Sequence, residues 1–219
     1  MMLAIGLLWA LPAAAQQEEQ ALVDRATLAV QELMTSGDTA GDAVGFLQRA
    51  RAVMVCPRVF RAGFIFGGEG GSCVLVGRDG AGSWSSPAFY GLGSGSFGLQ
   101  IGVQDAMVAM MIMTDRGLQA VMDSQFKVGA DASLALATIG GGIQGSTTAA
   151  AGADIVAVAK SRGLFAGISL SGSVMSYRPN SATAYYGRGY SARQIVVAME
   201  AHNPGSDPLR AMLLRYGAR

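Results

Sequence analysis

The stretch from Trp84 to Asp105, WSSPAFYGLGSGSFGLQIGVQD, leaves the chain few ways to fold, because it packs aromatic residues, a proline and five glycines into one short run. Trp84–Phe89 predicts the end of one strand and Gly98–Val103 the next, with Gly91 to Gly95 as the turn between them. Gly93-Ser94-Gly95-Ser96-Phe97-Gly98 also spells G-x-G-x-x-G, which in a dinucleotide fold sets a helix N-terminus under a pyrophosphate. The residues that follow, Leu99-Gln100-Ile101-Gly102-Val103, alternate as a strand does and lack helical periodicity. The run is therefore read as backbone geometry, and a nucleotide loop is set aside.

The rest of the chain fits around such a sheet. At 219 residues, 51% hydrophobic and 14% charged, it is long and apolar enough for one domain with a full core. Leu22, Ala26, Ala29, Val30 and Leu33 recur at helical spacing between Glu18 and Met34, and Gly37 stands where a helix ends. The polar face of that helix carries Glu18, Glu19, Asp24 and Glu32 against Arg25 alone, the wrong sign for an anionic surface, so it is read as a core-packing helix. A second helix is predicted from Asp42 as N-cap, turning Val44, Leu47 and Ala50 inward. Ala52–Cys56, Gly63–Phe66 and Ser72–Val76 read as three short strands separated by Pro57 and by the glycines at 67–71.

Asp79-Gly80 predicts a turn into Ser83-Trp84-Ser85, and Ala106–Met113 a fully buried strand followed by a helix capped by Thr114 or Asp115. Val128–Val158 is rich in small residues and is read as two closely approaching strands, with Gly163 to about Tyr177 as another. Terminal helices are predicted over Ser191–Glu200 and Asp207–Tyr216. The expected fold is α+β: an antiparallel sheet core, barrel-like or sandwich-like, with an N-terminal amphipathic helix and C-terminal helices packed on it.

Residues 1–15 have an apolar run from Leu3 to Leu11, then Pro12 and small residues before a polar start, the pattern of an export signal cleaved after Ala15. Export implies a periplasmic or other extracytoplasmic location. It gives Cys56 and Cys73 an oxidising setting in which they either form a disulfide or remain two small buried hydrophobes. Net charge is +1, so no global field draws nucleic acid, and any anion site must be local. Two cysteines and the single His202, at a helix exit, supply neither a metal site nor a triad. Asp105, Asp115, Asp123 and Asp131 stand mostly where caps and turns take a carboxylate, and no cofactor is implied.

One constellation carries binding chemistry. Arg49, Arg51, Arg58 and Arg61 bracket the first strand among Phe60, Phe64 and Phe66. Guanidinium groups beside aromatics suit phosphate headgroups at a lipid interface, and they equally suit a strand edge kept soluble by charge.

Four blocks in order resemble the SYLF domain family: Arg61–Gly68, Trp84–Phe89, Gly98–Gly102 with Asp105, and Gly163–Leu170. Ala184-Tyr185-Tyr186-Gly187 is similar to that family's closing motif, and the likeness covers roughly residues 24–187. It implies one SYLF-like domain over residues 16–219 with a C-terminal helical extension. The implied function is a non-enzymatic lipid-binding module, binding phosphoinositides in eukaryotic members and actin in fungal ones. Ser171 departs from the family, which often has Glu there, and the first helix lacks the basic face of some relatives. For an exported chain actin is set aside as partner, and the expected ligand is an anionic phospholipid met by Arg49, Arg51, Arg58, Phe60 and Arg61. The alternative is an envelope structural or protein–protein interaction module without a lipid.

Overall fold

A computed structural model describes residues 10–37, 40–63, 66–97, 102–123, 125–138, 152–162 and 172–218. The chain opens with helices α1 (Ala10–Thr35) and α2 (Ala40–Arg49), followed by strands β1 (Ala52–Gly63), β2 (Phe66–Gly77), β3 (Ala88–Phe97) and β4 (Gly102–Ile112). Helix α3 (Asp115–Met122) leads into β5 (Gln125–Lys127), β6 (Leu134–Thr138), β7 (Ile155–Arg162) and β8 (Val174–Tyr177). Helices α4 (Pro179–Tyr186) and α5 (Ala192–Val196), a 3-10 turn at Pro204–Ser206 and α6 (Asp207–Gly217) close the chain. The strands form one sheet in the order β5-β8-β3-β2-β1-β4-β7-β6, antiparallel throughout except for the β6–β7 pair. The sheet curls into a half-barrel, so the α+β class holds with one curved sheet.

β1 lies between β2 and β4, and its composition divides the sheet in two. Pro57 has no N–H to donate, and the register slips around it, between Val55 and Arg58 toward β2 and between Cys56 and Val59 toward β4. Before this bulge, Ala52–Cys56 is buried on both faces, as are Cys73–Val76 of β2 and Ala106–Ile112 of β4, which explains their unbroken apolar runs. Beyond it the strands turn glycine-rich and emerge from the core as a lip, where Arg58 and Phe60 are exposed. Cys56 and Cys73 are joined by a disulfide at the junction of the two halves.

Several sequence expectations change here. The three short strands are two long ones, and Gly91–Gly95 is strand rather than turn, with Gly68 facing Gly95 and Gly70 facing Gly93 across β2 and β3. Glycine pairs form a ladder as readily as they form a turn, and punctuation in the sequence does not distinguish the two. At Gly71 a side chain is excluded by space, since a Cβ would lie 2.7 Å from the carbonyl oxygen of Arg58. Asp42 lies in the first turn of α2 and is not its cap. Ser83–Ser85 makes an isolated bridge through Trp84 in place of a strand. The first predicted terminal helix, Ser191–Glu200, extends only over Ala192–Val196, held by a Ser191–Gln194 capping box, the second is present as α6, and α4 has no counterpart among the sequence expectations. The stretch 163–171 and Gly98–Ile101 lie outside the described residues.

α1 packs across β1, β2 and β4 and touches α2, α4 and α6, burying Leu22, Ala26, Ala29, Val30 and Leu33 as its periodicity requires. Thr114 caps α3, its side chain accepting from the Gly117 amide. No helix among the described residues is long and apolar enough to cross a membrane.

Candidate functional site

The five residues singled out from the sequence fall into three environments. Side chains alternate along β1, so Arg58 and Phe60 share one face and Arg61 takes the other. Arg61 turns toward Glu69, directly opposite on β2, donating from Nε at 2.9 Å and from Nη2 at 2.5 Å to one carboxylate oxygen. The other oxygen of Glu69 accepts from the Ser173 hydroxyl at 3.0 Å. The Glu69 side chain is only 2% exposed and that of Arg61 23%, so this group binds β1, β2 and the start of β8 together in a half-buried ionic contact.

Arg58 and Phe60 stay at the surface. The guanidinium of Arg58 lies 5.7 Å from the Phe60 ring centroid and donates to Asp105 on β4 at 2.7 Å. Phe60 is 42% exposed, one of few large apolar side chains open to solvent among the described residues. Together with Leu22 and Arg25 of α1, Pro57, and Gly70 to Ser72 they line a groove of about 570 Å³ between the first helix and the lip. Arg25 has no carboxylate partner among the described residues. Arg25 does not stand out in the sequence, because the net sign of the helix's polar face does not show what a single residue meets across the groove.

Arg49 and Arg51 lie at the other end of β1, roughly 20 Å from Arg58 at the usual rise per strand residue. Arg51 pairs with Asp115 at 2.9 Å, while Arg49 donates to the Gly45 carbonyl and lies 5.2 Å from the Phe46 ring. Both border a larger groove shared with Arg78 and Arg210.

The titratable groups do not form an acid–base pair in either groove. Strong upward shifts belong to tyrosines, with burial pushing Tyr177 up to about 12 and Tyr90 and Tyr186 further, so all stay neutral at ordinary pH. Asp154 is held below the usual carboxylate range, first by the hydrogen bond from the Thr114 hydroxyl and then by the Ser133 amide. It serves as a junction between α3, β6 and β7. His202 is exposed after α5, and Asp105, Asp115 and Asp131 are engaged with Arg58, Arg51 and the Lys127 amide. Among the described residues no three His, Cys, Asp or Glu side chains gather to hold a metal. What the surface offers is recognition by charge and apolar contact.

The chain is 28% identical over 170 residues to "LAS seventeen-binding protein 3" of Saccharomyces cerevisiae, covering 76% of this chain and 37% of the relative. It is 30% identical over 139 residues to the human "SH3 domain-containing YSC84-like protein 1", covering 63% of this chain and 41% of that one. The chain thus spans about two-fifths of the length of these relatives. No solved structure matches it. The model of the Ysc84 family, described as "Las17-binding protein actin regulator", matches residues 93–216, and the chain belongs to this Ysc84, or SYLF, family.

Proposed function

We propose that this chain is a non-enzymatic module that binds anionic phospholipid headgroups at a membrane surface, through the groove between α1 and the lip. The observation that carries this reading is Phe60, an open aromatic ring beside the Arg58 guanidinium and across the groove from Arg25, which has no carboxylate partner among the described residues. A ring that enters the acyl boundary and cations that meet phosphates are the two halves of peripheral membrane attachment. The Arg58–Asp105 pair does not oppose it, since an arginine side chain 67% exposed gains little from a surface ion pair and can exchange it for a phosphate. Each arginine near an anionic surface contributes about 1 kcal/mol, so attachment is weak, reversible and sensitive to salt.

The module is further proposed to act in the cell envelope after export and cleavage following Ala15. In support, every buried side chain described for α1 (Ala10–Thr35), from Glu19 onward, lies in the part of that helix that cleavage would retain. Intact mass of the chain recovered from its own envelope fractions reads the cleavage directly. Sedimentation with vesicles tests the lipid reading. The expected result is pelleting with anionic vesicles that falls with salt, with Arg25→Gln plus Arg58→Gln, and with Phe60→Ser; equal pelleting with neutral vesicles removes the electrostatic part.

The family description and the yeast relative's name favour a second reading, an adaptor that binds another protein. Cross-linking that captures one partner, with no lipid co-purifying, would select it.

A further inference from the structure

The second groove, about 1060 Å³, lies between the start of β1, the turn after β2 and helix α6. Three of its arginines come from three different elements, and each is tied along one edge by a main-chain carbonyl. Arg49 Nε donates to Gly45 O at 3.1 Å, Arg78 Nη1 to Gln48 O at 2.8 Å, and Arg210 Nε to Trp84 O at 2.8 Å. Two are also backed by aromatic rings, Arg49 by Phe46 at 5.2 Å and Arg78 by Trp84 at 5.5 Å. A guanidinium has five N–H donors, so one bond along an edge leaves the others for a ligand.

The charges are left uneven. Arg210 is answered by Asp207 at 2.8 Å, and Arg51, also on the groove, by Asp115. Arg49 and Arg78 have no carboxylate partner among the described residues. Asp79 also lines the groove and brings one negative charge to it, but its carboxylate makes no ion pair with either arginine and its Oδ1 accepts from the amides of Ala81 and Ser83, which shapes the turn. Two guanidinium groups on one concave surface, neither in an ion pair among the described residues, match an oxyanion that carries two negative charges.

We infer that this groove is a phosphate-binding site, taking a phosphate monoester or pyrophosphate through Arg49 and Arg78 with Arg210 at its rim. The phosphate can come from a soluble compound or from a lipid headgroup, and the site is separate from the Arg25–Phe60 groove on which the membrane reading rests.

Calorimetric titration of the full chain with inorganic pyrophosphate, and in parallel with dihexanoyl phosphatidic acid below its micelle concentration, tests it. Binding of the first assigns a soluble ligand, and binding of the second alone assigns a headgroup. In either case Arg49→Gln and Arg78→Gln should each weaken it about ten- to a hundredfold, the range for losing a charge-assisted hydrogen bond. Arg58→Gln should leave it unchanged. Arg78 also braces the turn through Gln48, so Arg49→Gln, which is exposed, decides the matter if the Arg78 variant fails to fold. No binding of either probe, or unaltered affinity in folded Arg49→Gln, overturns the inference. Vesicle binding lost in Arg58→Gln with phosphate binding retained would separate this site from the membrane surface.

Discussion

Arg61→Ala should destabilise the fold by about 3 kcal/mol, the low end of the range for removing one partner of a buried ion pair. The magnitude follows from the unequal burial of the two side chains, with Glu69 2% and Arg61 23% exposed. Truncating Arg61 leaves the Glu69 carboxylate buried with the Ser173 hydroxyl as its remaining donor among the described residues. Truncating Glu69 leaves a guanidinium that water still reaches, at a smaller cost of about 1–2 kcal/mol. Combined in Arg61→Ala/Glu69→Ala, the two losses should fall short of their sum by about 2 kcal/mol, because the second truncation removes the charge that the first one stranded. Urea denaturation of the four proteins, with midpoints and slopes compared, measures the cycle. Additive losses, or an Arg61→Ala cost below about 0.5 kcal/mol, would refute the view that Arg61 braces the lip. The double variant should also pellet with anionic vesicles as the parent does, since Arg61 faces away from Phe60.

Reducing the Cys56–Cys73 bond, or replacing both cysteines by alanine, should lower stability by about 3 kcal/mol, from the loop entropy released by cutting a bridge over a separation of 17 residues; urea midpoints with and without reductant read this, and an unchanged midpoint contradicts it. Acid should weaken the fold partly through Asp154. Its folded pKa is depressed, so its contribution is present above the unfolded value, about 3.9, and is lost as pH falls through the lower folded value. Asp154→Asn should therefore flatten the acid limb of a stability–pH curve between neutrality and pH 2, and an unaltered limb counts against the assignment.

The sequence was most legible where one face of an element decides its fate. The Leu22-to-Leu33 stripe of α1 came directly from its period, and position narrowed the α3 cap to Thr114 or Asp115, of which Thr114 is the cap. The run Ala106–Met113 read as buried strand because β4 is covered on both faces over Ala106–Ile112. The glycines misled, since Gly67–Gly71 and Gly91–Gly95 look like turns yet pair with each other across β2 and β3. Recognising that needs the register, which is a property of two segments together. The arginines were legible as a set but not as sites. Arg58 and Arg61 are three apart, and a strand sends them to opposite faces. Arg78 and Arg210, which complete the groove at Arg49, are brought there by the turn after β2 and by the last helix.

The break at Pro57 ties these observations together. Upstream of it β1 is wholly core, and a charged side chain there would have to be buried; downstream its partners on β2 are largely glycine, which buries little apolar area. Such a lip cannot be held by packing alone. The Cys56–Cys73 bond clamps its base, and the Arg61–Glu69–Ser173 group stitches three strands on the face away from Phe60. With both restraints placed at the base and on that face, Arg58 and Phe60 are left free of structural duty on the other, except for the exchangeable contact with Asp105. That division of labour supports a binding role for the α1-facing side of the lip, and it explains how a sheet this rich in glycine presents a fixed surface.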